Sequence, residues 1–152
     1  MLAREFHFPV GVTILDDAAQ SAAGLGRSLV LRIFSSPPAD RRAIAEIVGR
    51  IPELLLALDK RASGEGLGRL CVLMPQRDDA LSRAAEALAE TLVRYGAGHL
   101  AARPVQVNLL RHPPTPEGSR RAADMVRALF GGRLDGVRGQ VFVLRDLEGA
   151  SP

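Results

Sequence analysis

The chain has 152 residues and a mass of 16.3 kDa, the size of one domain with a core of its own. Hydrophobic residues make up 47% and charged residues 24%, which excludes wholesale disorder, and no fixed-period repeat supports a coiled-coil, collagen or solenoid reading. The net charge is +3, yet 19 of the 20 basic residues are arginines scattered from Arg4 to Arg145 and aromatics are only 4%, so no nucleic-acid partner is expected.

Apolar, β-branched runs alternate with helical patterns, the mark of an α/β fold. A first strand is predicted over 10–15, after which Asp16 or Asp17 caps a helix that ends near Gly24 and Gly26. The second strand spans 29–34 and is closed by Ser35-Ser36-Pro37-Pro38. Asp40 opens a long helix, 40–61, whose apolar positions Ile44, Ile47, Val48, Ile51, Leu54, Leu55 and Leu58 follow helical spacing, with a kink expected at Pro52. The third strand, 70–74, contains Cys71, read as a buried thiol. A helix over 78–98 places Leu81, Ala84, Ala85, Leu88, Leu92 and Tyr95 on one side. The fourth strand covers 105–110, a rigid loop 111–116, a helix 117–130 and a last strand 140–144. The pattern predicts a three-layer, Rossmann-like sandwich of about five parallel strands, with helices on both faces and right-handed crossovers. No run of 18 apolar residues and no apolar leader is visible, so a cytoplasmic protein without a membrane span is expected.

Several short motifs fall in a telling order. Gly68-Arg69-Leu70-Cys71-Val72 is similar to a Gly-Arg-Ile-Val strand, Pro104-Val105-Gln106-Val107-Asn108 to an Ile-Arg-Val-Asn strand, and Gly139-Gln140-Val141-Phe142-Val143 to a closing Gly-Gln-x-x-x-Val strand. Thr115 falls near the threonine of a Pro-Gly-x-x-x-Thr loop. In this order they resemble the C-terminal half of a short-chain dehydrogenase/reductase, over about residues 42–144. The chain then divides into a reduced N-terminal strand-helix-strand, 1–38, and a dehydrogenase-like part, 39–147, within one domain.

The resemblance implies a Tyr-x-x-x-Lys pair one helical turn apart, in which the lysine lowers the pKa of the tyrosine acid/base. At the family spacing Ser82 stands in the tyrosine place and Glu86 in the lysine place. A carboxylate there raises a neighbouring acid's pKa rather than lowering it. The family serine falls at Met74 or Pro75 and the helix asparagine near Val48, so four catalytic positions read as vacated: Val48, Met74, Ser82 and Glu86. The cofactor turn is missing too, because Asp16-Asp17 follow the first strand where a pyrophosphate needs backbone N–H groups and no negative charge. No cofactor is expected on this reading.

Other groupings carry less. His7, His99 and His112 lie in three segments without ligand partners at helical spacing, so no metal site is expected. Ser35 and Ser36 have no base beside them, and Gly64-x-Gly66-x-Gly68 precedes a strand instead of following one. Tyr95 and His99, four apart on a helix, read as packing.

Two functions follow from this reading. The first is a catalytically silent subunit, because the helices that resemble 40–61 and 78–98 form the inter-subunit bundle of the family. It implies a homodimer or a heteromer with a complete short-chain dehydrogenase. The second is a reduced NAD(P)-dependent oxidoreductase using Ser82, Tyr95 or His112 as a non-standard acid or base.

Overall fold

The computed structural model describes residues 12–15 and 27–145, without the side chains of 12, 13 and 61–65. The candidates His7, Asp16 and Asp17 and the helix expected after the first strand lie outside the described residues. Five strands form one parallel sheet: β1 (Val12–Leu15), β2 (Ser28–Arg32), β3 (Gly68–Pro75), β4 (Val105–His112) and β5 (Val141–Val143), side by side in chain order. Among the described residues four helices cover it: α1 (Arg41–Val48), α2 (Arg50–Glu65), α3 (Ala80–His99) and α4 (Pro116–Phe130). This is the expected α/β, Rossmann-like fold.

Strands β2, β3 and β4 are buried along nearly their whole length because both of their faces are covered. Leu29, Leu31, Leu70, Val72, Val107 and Leu109 point to one face and bury against Ile44 and Val48 of α1, Ile51, Leu54 and Leu58 of α2, and Ala85, Ala89 and Val93 of α3. The alternate residues Val30, Cys71, Leu73 and Leu110 meet Ala122, Val126 and Leu129 of α4 on the other face. None of the described helices is long and apolar enough to cross a membrane.

The long helix breaks at Gly49 rather than kinking at Pro52. A proline at 52 has no N–H for the Val48 carbonyl, so the ladder stops one turn upstream. Pro52 then sits in the first turn of α2, where no donor is needed. The strand β4 also runs two residues past its expected end, taking Arg111 and His112 from the anticipated loop. Both pair with β3, Arg111 opposite Met74 and His112 opposite Pro75.

The crossovers do not share one hand. Each step moves one strand along the sheet in the same direction, with α1, α2 and α3 on one face and α4 on the other. The β4–α4–β5 connection is therefore opposite in hand to the two before it, against the usual right-handed rule. Polar side chains on β4 accommodate it. Gln106 donates to the carbonyls of Leu134 (2.6 Å) and Val137 (3.0 Å), and Asn108 donates to Val137 (2.9 Å) and accepts from the Gln140 N–H (3.0 Å). Both amides are almost fully buried, so these bonds replace water for the segment leading into β5.

Asn108→Ala leaves the Gln140 N–H without this acceptor, and the expected cost is about 2 kcal/mol. Urea unfolding of the variant checks it, and an unchanged midpoint contradicts the clamp.

Candidate functional site

The carboxyl ends of β2, β3 and β4 lie at one edge of the sheet, where open α/β folds hold ligands. A cavity of about 220 Å³ sits there. Arg32, Ile33 and Ser35 line it from β2 and its loop, Leu73 and Arg77 from β3 and its loop, and His112, Thr115, Ser119 and Ala122 from β4 and α4.

Backbone strain shapes the β2 side. Phe34 has a φ of 56°, in the left-handed region, with its side chain buried. A non-glycine residue there costs on the order of 1–2 kcal/mol, which its surroundings must offset. Arg77 does so from the β3 loop, donating to the Phe34 carbonyl at 2.6 Å and to the Ser35 carbonyl at 2.8 Å. Both acceptors are neutral, so these bonds fix the guanidinium without cancelling its charge.

The opposite wall is the turn into α4. Thr115 caps the helix, its hydroxyl accepting from the Gly118 N–H at 3.0 Å, and Pro116 takes the first helical position. A side chain at 118 would collide with the Pro113 carbonyl, so glycine lets this turn fold tightly onto the helix. His112 is 8% exposed and its Nδ1 lies 2.8 Å from the Pro113 carbonyl. Because a carbonyl only accepts, Nδ1 carries the proton and Nε2 is left as an acceptor in the neutral ring. Burial, with Arg77 nearby, pushes the His112 pKa below its usual value, although the Pro113 bond opposes the shift.

The four positions read as vacated lie on the side of the sheet that α1–α3 cover, and none of them lines the cavity. Val48 and Met74 are buried in the core between the sheet and α1–α3. Ser82 and Glu86 lie on the inner side of α3, and neither lines the cavity. The Ser82 side chain and its N–H, 3.0 Å from Asp79 at the cap of α3, hold the Asp79 carboxyl below its usual pKa. Glu86 is 9% exposed and pairs with Arg111 of β4, Oε2 to guanidinium, at 2.7 Å. Tyr95 and His99 stack with ring centroids 6.1 Å apart, on the surface. Burial pushes the Cys71 thiol up to about 12, so it forms no thiolate at neutral pH. Among the described residues no three His, Cys, Asp or Glu side chains gather as metal ligands.

Sequence reading named His112 as a candidate acid or base but placed it in the loop rather than in β4, and it missed Arg77. Arg77 carries no local pattern, and its role depends on carbonyls 42 and 43 residues away in the chain. The apolar run of the fourth strand ends at Leu110, and the signal that could have extended it is the pair of prolines that begins only at Pro113.

No protein-family model and no curated protein matches the chain. Among solved structures it is similar to BdcA (YjgI) from E. coli, with a TM-score of 0.59 and 14% identity, over 90% of this chain and 62% of that one. BdcA has a fold of the short-chain dehydrogenase/reductase type, and the likeness shows the shared fold alone. The chain spans less than two thirds of the length of that protein.

Two expected outcomes test these placements. Glu86→Ala strands the Arg111 charge, and chemical denaturation should read a loss of about 3 kcal/mol; a loss near zero contradicts a paired, buried Glu86. His112 takes its proton in the folded state at a pH below the unfolded value of about 6.5. Between those two values the unfolded chain binds more protons, so stability is full above about pH 6.5 and falls as pH drops toward the folded value. The difference between wild type and His112→Asn should show that slope, and parallel pH profiles contradict it.

Proposed function

We propose that the chain is a catalytically silent, short-chain-dehydrogenase-like subunit. It pairs through the outer surface of α1, α2 and α3 with a second copy of itself or with a complete member of that family. The observation that carries this reading is a stripe on α3. Ala84, Leu88, Thr91, Tyr95 and Gly98 all face solvent, and they recur at the 4-3-4-3 spacing of helices packed side by side. Leu88 is 38% exposed and Tyr95 71%, and on the neighbouring α2 Leu56 is 59% exposed. Short side chains at 84 and 98 permit close approach, while the ion pair between Glu90 and Arg94 (3.0 Å) suits a polar rim. The burial of Ser82 and the ion pair of Glu86 with Arg111 support the loss of family chemistry, since neither side chain is presented to the cavity.

A second reading, a reduced NAD(P)-dependent oxidoreductase, is favoured by one observation. Of Ser82, Tyr95 and His112, the side chains able to act as acid or base, His112 lines the cavity at the strand ends. Quenching or enhancement of NAD(P)H fluorescence at millimolar cofactor tests it, and a flat titration rejects it.

Light scattering on the purified chain, and on material co-purified from its host, should give a dimer or a heteromer. Leu88→Glu with Tyr95→Glu should return the mass to that of one chain, 16.3 kDa, with an unchanged circular dichroism spectrum. A wild-type monomer in both preparations overturns the subunit reading.

A further inference from the structure

We propose that the partner of α3 is a second copy of this chain, laid antiparallel about a two-fold axis at Thr91, and that Glu90 and Arg94 select it. The inference rests on the pairing reading above and narrows it from two partners to one.

The stripe on α3 is complementary to itself. In an antiparallel pair centred on Thr91, positions before the centre in one copy meet positions after it in the other. Ala84 and Gly98 lie seven residues to either side of Thr91, so small meets small at both ends. Leu88 lies three before and Tyr95 four after, so the exposed leucine of each copy packs beside the exposed ring of the other. Thr91 meets itself, and its hydroxyl already donates to the Ala87 carbonyl at 2.8 Å, so burial at the axis strands no donor. A parallel pair instead stacks two tyrosines at one level and two leucines at another, which spaces the helices unevenly.

Charge fixes the direction. At about 3.6 residues per turn, Arg83, Glu90 and Arg94 fall on one shoulder of the stripe, and Gly96, which lies against Leu55 of α2, falls on the other side. The two-fold axis brings like shoulders together. Arg94 of one copy then sits level with the partner's Leu88, about 3 Å along the helix from the partner's Glu90. Each Arg94 thus lies between its own Glu90, at 3.0 Å, and the partner's Glu90. Arg83, at the far end of the shoulder, keeps Asp78 at 3.8 Å. A parallel pair joins unlike shoulders and leaves Glu90 without an arginine across the seam. The chain itself supplies the acid-then-base order that this rim recognises in reverse.

Disulfide trapping reads the register. Cys71, the chain's one cysteine, is buried with its thiol pushed up to about 12, so it stays out of the oxidation. With glutathione disulfide, Thr91→Cys should run as a covalent dimer on a non-reducing gel, while Arg120→Cys, exposed on α4, should stay single. Ala84→Cys and Gly98→Cys should form little dimer apart and cross-link when mixed. Glu90→Arg and Arg94→Glu should each weaken self-association about tenfold, and an equal mixture of the two should recover it, because every base then faces an acid. Cross-linking of Ala84→Cys to itself sets the helices parallel and overturns the proposal. A light-scattering dimer that yields no Thr91→Cys disulfide overturns it while leaving the pairing reading intact, as does a chain that pairs only with a complete member of the resembled family. Charge variants that associate like wild type overturn the role of Glu90 and Arg94. A chain that is single in every preparation fails the pairing reading, and this proposal with it.

Discussion

The arrangement depends on what β4 can bury. Most of its residues have no access to water, yet two of them are amides. A lone buried amide costs more than its packing returns, so Gln106 and Asn108 are tolerable only because their donors reach Leu134 and Val137. The bonds work in both directions. They occupy the donors of both side chains, and they hold the segment that carries the chain from α4 into β5, where Leu109 pairs with Val141. A crossover of the less common hand is thereby anchored by hydrogen bonds rather than by helix packing alone.

The same strand places the site. Alternation along β4 sends Arg111 toward α3, where it meets Glu86, and His112 to the opposite face beside α4. Adjacent residues thus receive different chemistry from the two layers. Arg111 becomes half of a largely buried ion pair whose desolvation offsets much of its attraction, which makes it a specifying contact more than a source of stability. His112 becomes a neutral acceptor at the wall of a cavity that carries two guanidinium groups. Across the cavity the strained Phe34 and the bonds from Arg77 hold the other wall in place.

Helix α3 shows the same economy on its two sides. Its inner face uses alanines and Val93 to lie close against the sheet, and Gly96 lets it approach Leu55 of α2. Its outer face keeps Leu88 and Tyr95 in solvent at the spacing of a helix seam. Ser82 and Glu86, at places where the resembled family keeps its acid and base, face inward, and Glu86 is held there by Arg111 of β4.

Much of the architecture was legible in the sequence because it rests on local physics. Continuous apolar runs read as strands buried on two faces, 3-4 spacing reads as helices, and Asp40, Asp78 or Asp79, and Pro116 mark helix starts through capping and fixed φ. Pro52 announced a break, though the broken bond belongs to Val48, so the interruption appears at Gly49. The face that α4 covers, the partners of Gln106 and Asn108, the inward turn of Glu86 and the meeting of Arg32, Arg77 and His112 left no such mark. Each depends on groups dozens of residues apart, brought together only when the sheet assembles. The sequence by itself determined which segments are strands and helices, since that depends on neighbours along the chain; tertiary structure alone decided which polar side chains are matched in the interior and which line a cavity, because burial and hydrogen bonding are properties of the packed layers.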